Sequence, residues 1–92
     1  MPDIQLSQPH QLTQQQARAK VDEMTHQLES DLGLTTQWLD DHKLSFERSG
    51  ANGVLTLTEQ QVSVEVKLNF MLRPMKGTIE KELEKALRKA FG

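Results

Sequence analysis

The chain has 92 residues, 36% hydrophobic and 26% charged, with no cysteine and a formal net charge of −2. That length suits one domain, residues 1–92, with a modest core and too little depth for a water-excluding active site. The composition is that of a folded, soluble chain, and the missing thiols exclude disulfides, thiolate metal sites and a cysteine nucleophile.

No stretch reaches the roughly 20 apolar residues of a membrane-spanning helix, so no membrane span is expected. The opening MPDIQLSQPH lacks the basic and apolar regions of a signal peptide, and a cytoplasmic location is expected. Charge is uneven: residues 1–66 carry ten acidic and four basic side chains, and residues 67–92 carry seven basic and three acidic ones. A basic C-terminal third would suit nucleic acid only with aromatic residues to stack on bases. One Trp, three Phe and no Tyr do not supply them, so nucleic acid is not an expected partner.

In chain order, DIQLSQ alternates Ile4 and Leu6 with polar neighbours and reads as a short half-buried strand. LTQQQA then carries a capping box, Thr13 with Gln16, and a hydrophobic staple, Leu12 with Ala17. Ala17, Val21, Met24, Leu28 and Leu32 recur at steps of three and four, which predicts a helix over 14–32 with one apolar stripe. Gly33 ends it in a left-handed conformation, and Leu34 folds back as in a Schellman motif.

Four short strands are predicted next, at 36–40, 43–48, 53–58 and 61–68. With Glu59-Gln60 as a two-residue turn, Leu57 faces Val62 and Leu55 faces Val64. With Ser49–Asn52 as a four-residue loop, Phe46 faces Leu55 and Leu44 faces Leu57. All these apolar residues then share one side, and Ser45, Glu47, Thr56, Thr58, Ser63, Glu65 and Lys67 share the other. Trp38 and Leu39 are adjacent and point opposite ways, so one of them is partly exposed.

Pro74 ends the last strand and starts a helix over 74–90. Leu72, Met75, Ile79, Leu83, Ala86, Leu87 and Ala90 cover its inner side, while Lys81, Lys85, Arg88 and Lys89 span roughly a quarter-turn of the outer side. Phe70 and Met71 are adjacent and cannot both be buried in a regular strand. The expected fold is α+β, a two-layer β-α-β-β-β-β-α arrangement with an antiparallel sheet and both helices on one face, loosely like a helix-grip domain.

Residues 46–50, FERSG, with Gly53, Leu55 and LNFMLRPMKGTIEKEL, resemble a known group. The chain is similar to the polyhydroxyalkanoic acid system proteins, small bacterial proteins linked to the polyhydroxyalkanoate granule region. The spacing of Ile4, His10, Leu12, Ala17 and Arg18 is also similar, so the resemblance covers nearly the whole chain. It departs at Met75, where the family pattern favours an aromatic residue, and at the ending RKAFG, where it favours a small acidic one. The resemblance implies association with storage-polyester granules and brings no catalytic motif.

The polar residues offer little chemistry of their own. Asp40, Asp41 and His42 read as a solvated turn, His26 falls opposite the apolar stripe, and His10 has no second histidine at ligand spacing, so no metal and no other cofactor is expected. Ser49-Gly50 lacks a nucleophile elbow and a paired base, so no catalytic residue is assigned. Parity sends Arg48 toward the apolar face, which makes it a polar-site candidate with a structural ion pair as the favoured role.

The first expectation is therefore a non-enzymatic protein that binds a granule surface or another granule protein. A small carrier of hydrophobic ligands is the alternative. The candidate contact surface joins Phe70, Met71 and Arg73 to Lys81, Lys85, Arg88 and Lys89, an apolar residue beside a run of cations as at an anionic interface. A homodimer contact through Phe70 or Met71 is the competing use of the same surface.

Overall fold

Alternation along three central strands decides the architecture, because their large apolar side chains all leave the pleat on one side. The computed structural model describes residues 2–91. Its elements are β1 (Ile4–Pro9), α1 (Gln14–Leu32), β2 (Thr35–Trp38), β3 (Lys43–Arg48), β4 (Ala51–Leu57), β5 (Gln61–Leu68), a single 3-10 turn over Arg73–Met75, and α2 (Lys76–Phe91). The strands form one open antiparallel sheet in the order β1-β5-β4-β3-β2. The expected α+β class and two-layer order are those found.

The core lies between the sheet and the two helices. Ile4, Leu44, Leu55, Leu57, Val62, Val64, Val66 and Leu68 rise from the strands, and Ala17, Val21, Met24, Leu28, Leu83 and Leu87 descend from the helices. In β5 the burial alternates residue by residue, with Val62, Val64, Val66 and Leu68 buried and Gln61, Glu65 and Lys67 exposed. That is the period of a strand with one dry side.

The start of α1 follows its sequence signals. Thr13 Oγ1 accepts the Gln16 N–H at 3.1 Å, and Gln16 Oε1 accepts the Thr13 N–H at 3.3 Å. Gly33 takes φ 68° and donates to the Glu29 carbonyl at 3.0 Å. This is the single-bond left-handed ending, in place of the Schellman form expected. His10, 7% exposed, joins four segments: its Nδ1 accepts the Leu12 N–H at 3.1 Å, so Nε2 carries the proton and donates to the Thr58 carbonyl at 2.7 Å. Its ring also packs on Phe91, with centroids 5.7 Å apart.

The register of β3 against β4 corrects one expectation. Ser49-Gly50 is a two-residue turn closed by Arg48 and Ala51, so Leu44 faces Leu55 and Phe46 faces Gly53. The shift is two residues, which leaves every side chain on its predicted face. Gly53 makes the register possible: a Cβ there would stand 2.5 Å from Phe46 Cζ and 2.6 Å from the Glu65 carbonyl oxygen. The pairing of β4 with β5 is as expected, Leu55 with Val64 and Leu57 with Val62.

Of the adjacent pair at the end of β2, Trp38 turns toward α1 and Leu39 is 57% exposed. Trp38 Nε1 donates to Asp22 Oδ1 at 2.8 Å, and the Arg18 guanidinium sits 4.4 Å above the indole while bonding Asp41 at 3.0 Å. Asp40 closes the neighbouring turn by accepting the His42 and Lys43 N–H groups at 2.7 and 2.8 Å. These two backbone bonds hold its carboxyl below the ordinary value.

Leu57 is wholly buried at the centre of this packing, whereas Lys67 is exposed on the uncovered side of the sheet. Leu57→Ala is expected to cost about 2–5 kcal/mol in denaturant unfolding, against less than about 0.5 kcal/mol for Lys67→Gln. Equal costs would show the dry face to be misassigned.

Candidate functional site

The segment between β5 and α2 gathers three of the four exposed large apolar side chains of the described residues: Phe70 at 78%, Met71 at 71% and Met75 at 50%. The segment is nonetheless tightly bonded. The Asn69 N–H donates to the Gly50 carbonyl at 2.8 Å, and the Asn69 carbonyl accepts the N–H groups of Leu72 and Arg73 at 3.1 and 3.2 Å. Asn69 Oδ1 accepts those of Met71 and Leu72 at 3.1 and 3.2 Å. One short polar side chain thus fixes the turn from within.

Leu72 anchors the same segment by packing on the core. It fits because Gly50 has no side chain and takes φ 89°: a Cβ there would lie 3.0 Å from Leu72 Cδ1 and 3.1 Å from Asn69 Oδ1. Asp3 supplies the third anchor. Its Oδ2 accepts the Leu68 N–H at 2.8 Å, and its Oδ1 lies 3.7 Å from Arg73 Nε. The Leu68 N–H, opposed by burial and aided by the charges of Arg73 and Lys76, holds the Asp3 carboxyl below its ordinary value.

These positions correct several expectations. β5 ends at Leu68, so both Phe70 and Met71 leave the sheet, where one buried residue was anticipated. Met75 was assigned to the core with Leu72, but only Leu72 packs there. The 3-10 turn over Arg73–Met75 advances side chains by about 120° per residue, which breaks the helical phase counted from Pro74. Arg48 is exposed at the end of β3, and among the described residues no carboxylate forms the ion pair expected for it. It lines instead a shallow open depression of about 310 Å3 with Gly50, Lys67 and Asn69.

Four cations therefore flank the segment that carries the turn: Arg48 and Lys67 line the depression at its Asn69 end, and Arg73 and Lys76 follow it into α2. The membership of Arg48 and Lys67 was not legible in the sequence, since it depends on the Ser49-Gly50 turn meeting Asn69. The expected strip on α2 is only partly continuous with this rim. Lys81, Lys85, Arg88 and Lys89 are all exposed, but α2 carries them away from the turn, Lys89 by about 20 Å along the axis. Arg88 pairs with Glu84 at 2.7 Å, and Lys85 and Lys89 flank a groove of about 210 Å3 with Glu82, Asp31 and Gln27.

Elsewhere the described residues line mostly open depressions. A void between helices and sheet, lined by Met24, Leu28, Phe46, Leu55, Leu83 and Leu87 among others, holds only about 20 Å3. A depression of about 450 Å3 lies open on the uncovered side of the sheet around Ser45, Val54, Glu65 and Lys67. Among the described residues no three metal-ligating side chains gather, and no helix is long and apolar enough to cross a membrane.

A family model described as "Putative polyhydroxyalkanoic acid system protein" matches residues 4–91. The chain belongs to this family. The match runs from the first residue of β1 to the last of α2, the exposed turn included. No curated protein and no solved structure gives a significant match. The family name connects the chain to the polyhydroxyalkanoate granule region and assigns no residue a role.

Two measurements test the frame of the turn. Gly50→Ala should destabilise the protein by about 1–2 kcal/mol for the left-handed backbone alone, and should shift the backbone amide resonances of Asn69 and Leu72; unchanged resonances would separate the hairpin from the turn.

The pH dependence of Asp3 has a definite sign. Because the folded carboxyl is lowered, its stabilising contribution is present above the ordinary carboxyl value and is lost as pH falls through the lowered folded value. Asp40 contributes with the same sign. Urea unfolding of Asp3→Asn should therefore show a flatter acid limb than wild type, with the remaining slope owed to Asp40 and others.

Proposed function

We propose that the protein acts without catalysis by docking on the surface of a polyester storage granule, with the turn between β5 and α2 as its point of insertion. The observation that carries this reading is the exposure of Phe70, Met71 and Met75 on a backbone fixed by Asn69, Gly50 and Leu72. A preformed turn spends little ordering entropy on binding. Burying a Phe or Met side chain yields about 1.5–3 kcal/mol, so three of them give a gross driving force that survives part of the association cost.

The basic rim has a complementary task. Arg48 and Lys67 at the Asn69 end and Arg73 and Lys76 at the helix end flank the apolar segment, and each cation near an anionic surface adds about 1 kcal/mol. Asp3 offsets part of the Arg73 charge, so the apolar term leads and the electrostatic one modulates. The family name supports a storage-polyester granule as the surface in question. The alternative of a hydrophobic-ligand carrier has less support, since an internal void of about 20 Å3 is close to the room for one water molecule and far from that of an alkyl ligand.

Sedimentation with polyester particles, bare or coated with anionic phospholipid, tests the reading at low and high salt. Wild type should pellet with both, more strongly with the coated particles at low salt. A Phe70→Ser/Met71→Ser/Met75→Ser variant should stay in solution, and Lys76→Glu should lose mainly the salt-sensitive part. Failure of the wild type to pellet at either salt rejects granule docking, and a concentration-dependent dimer dissolved by Met71→Ser would assign the turn to self-association.

A further inference from the structure

The chain contains four methionines, and their placement is unequal. Met24 is 8% exposed within the core, whereas Met71 and Met75 are 71% and 50% exposed on the same turn. A thioether is apolar and fits an apolar surface, but its sulfur is also the softest nucleophile in a chain without cysteine. Two of the three apolar side chains at the tip of the turn therefore carry an atom whose oxidation changes their polarity.

We infer that Met71 and Met75 form a paired oxidation site, at which a peroxide turns the apolar tip polar and releases the turn from an apolar surface. The inference rests on the reading of this turn as the insertion site and adds its regulation. Each thioether sulfur attacks one peroxide oxygen: an S–O bond forms, the O–O bond breaks, the sulfur gives up two electrons, and the departing hydroxide takes the remaining proton to leave as water. The sulfoxide is a strong hydrogen-bond acceptor that an aliphatic polyester, having no donors, cannot satisfy. Phe70 cannot be oxidised in this way and stays apolar, so oxidation weakens the contact without abolishing it. A thiol-linked reductase acting on methionine sulfoxide would restore the thioether.

The core is insulated from the same chemistry. Met24 packs with Thr25, Leu28, Leu83 and Leu87 and, at 8% exposed, reaches solvent only at the floor of the open grooves between the two helices, so a peroxide meets it far less readily than Met71 or Met75. Oxidation confined to the turn therefore leaves the fold intact and alters only the contact.

The test treats wild type and a Met71→Leu/Met75→Leu variant with graded hydrogen peroxide, maps sulfoxides by peptide mass spectrometry, and follows both pelleting with polyester particles and retention on a phenyl matrix. Met71 and Met75 should oxidise well before Met24, and the oxidised wild type should lose retention and pelleting by about five-fold or more. The double variant should keep both, while Met1, present in both proteins, affects them equally. Equal oxidation of Met24, or phenyl retention unchanged after the pair is oxidised, overturns the inference. If reduced wild type fails to pellet, docking on polyester is rejected, and the phenyl matrix still decides whether the pair switches the polarity of the tip.

Discussion

A sheet with a single dry side is the constraint from which the rest of this molecule follows. Strands β3, β4 and β5 place their large apolar residues on one side of the pleat and Ser, Thr, Glu and Lys on the other, so both helices must lie on that one side. Five strands at about 4.8 Å spacing are about 19 Å wide, and two helices packed 8–10 Å apart cover about the same width. No third helix is needed, and the opposite side of the sheet has no apolar surface to hide apart from Val54. The segment joining β5 to α2 must then climb from the sheet to the helix layer at one end of the molecule, and this climb brings Phe70 and Met71 outside.

How far this was legible in the sequence depended on which signals were local. Thr13, Gln16 and Gly33 act within one turn of chain and marked both ends of α1 correctly. Alternation in β4 and β5 fixed the dry side. The pairing of β3 with β4 was not recoverable from alternation, because a slip of two residues keeps every side chain on its face. What decides it is the approach of Phe46 to Gly53 across the strands and the left-handed backbone of Gly50 in the turn between them. Met75 was misplaced for a related reason, since a helical wheel assumes one uniform pitch and the chain inserts a tighter turn before α2. The candidate site was half legible. Phe70, Met71 and Arg73 stood out as a local run, whereas Arg48 and Lys67 join it only through the hairpin that meets Asn69.

Exposure of apolar side chains is common and by itself carries little meaning. Leu39 is 57% exposed as a single residue beside a solvated turn, the ordinary fate of an unlucky neighbour of Trp38. The turn after β5 differs in two respects. Three large apolar residues are exposed within six positions, and the backbone that carries them is held by bonds to Gly50, Asn69 and Asp3 instead of swinging freely. A disordered loop would hide such residues on its own surface part of the time; a bonded turn cannot.

The cations divide between two tasks according to their position along α2. Arg88 and Lys89 lie in the last turn, where the helix dipole presents partial negative charge and a cation is favoured wherever the helix is. Arg88 is further occupied by Glu84. Lys76 lies at the opposite end, where the dipole is positive and a cation is disfavoured by the helix itself, and Arg73 stands three residues before it. Charges placed against the local field are poorly explained by helix stability. They are better explained by what the end of the helix faces, and the end of α2 that carries them is the one beside Phe70, Met71 and Met75. The same reasoning gives the helix N-terminus a share in the site, since the positive end of its dipole lies beside Arg73 and Lys76 and adds to their potential.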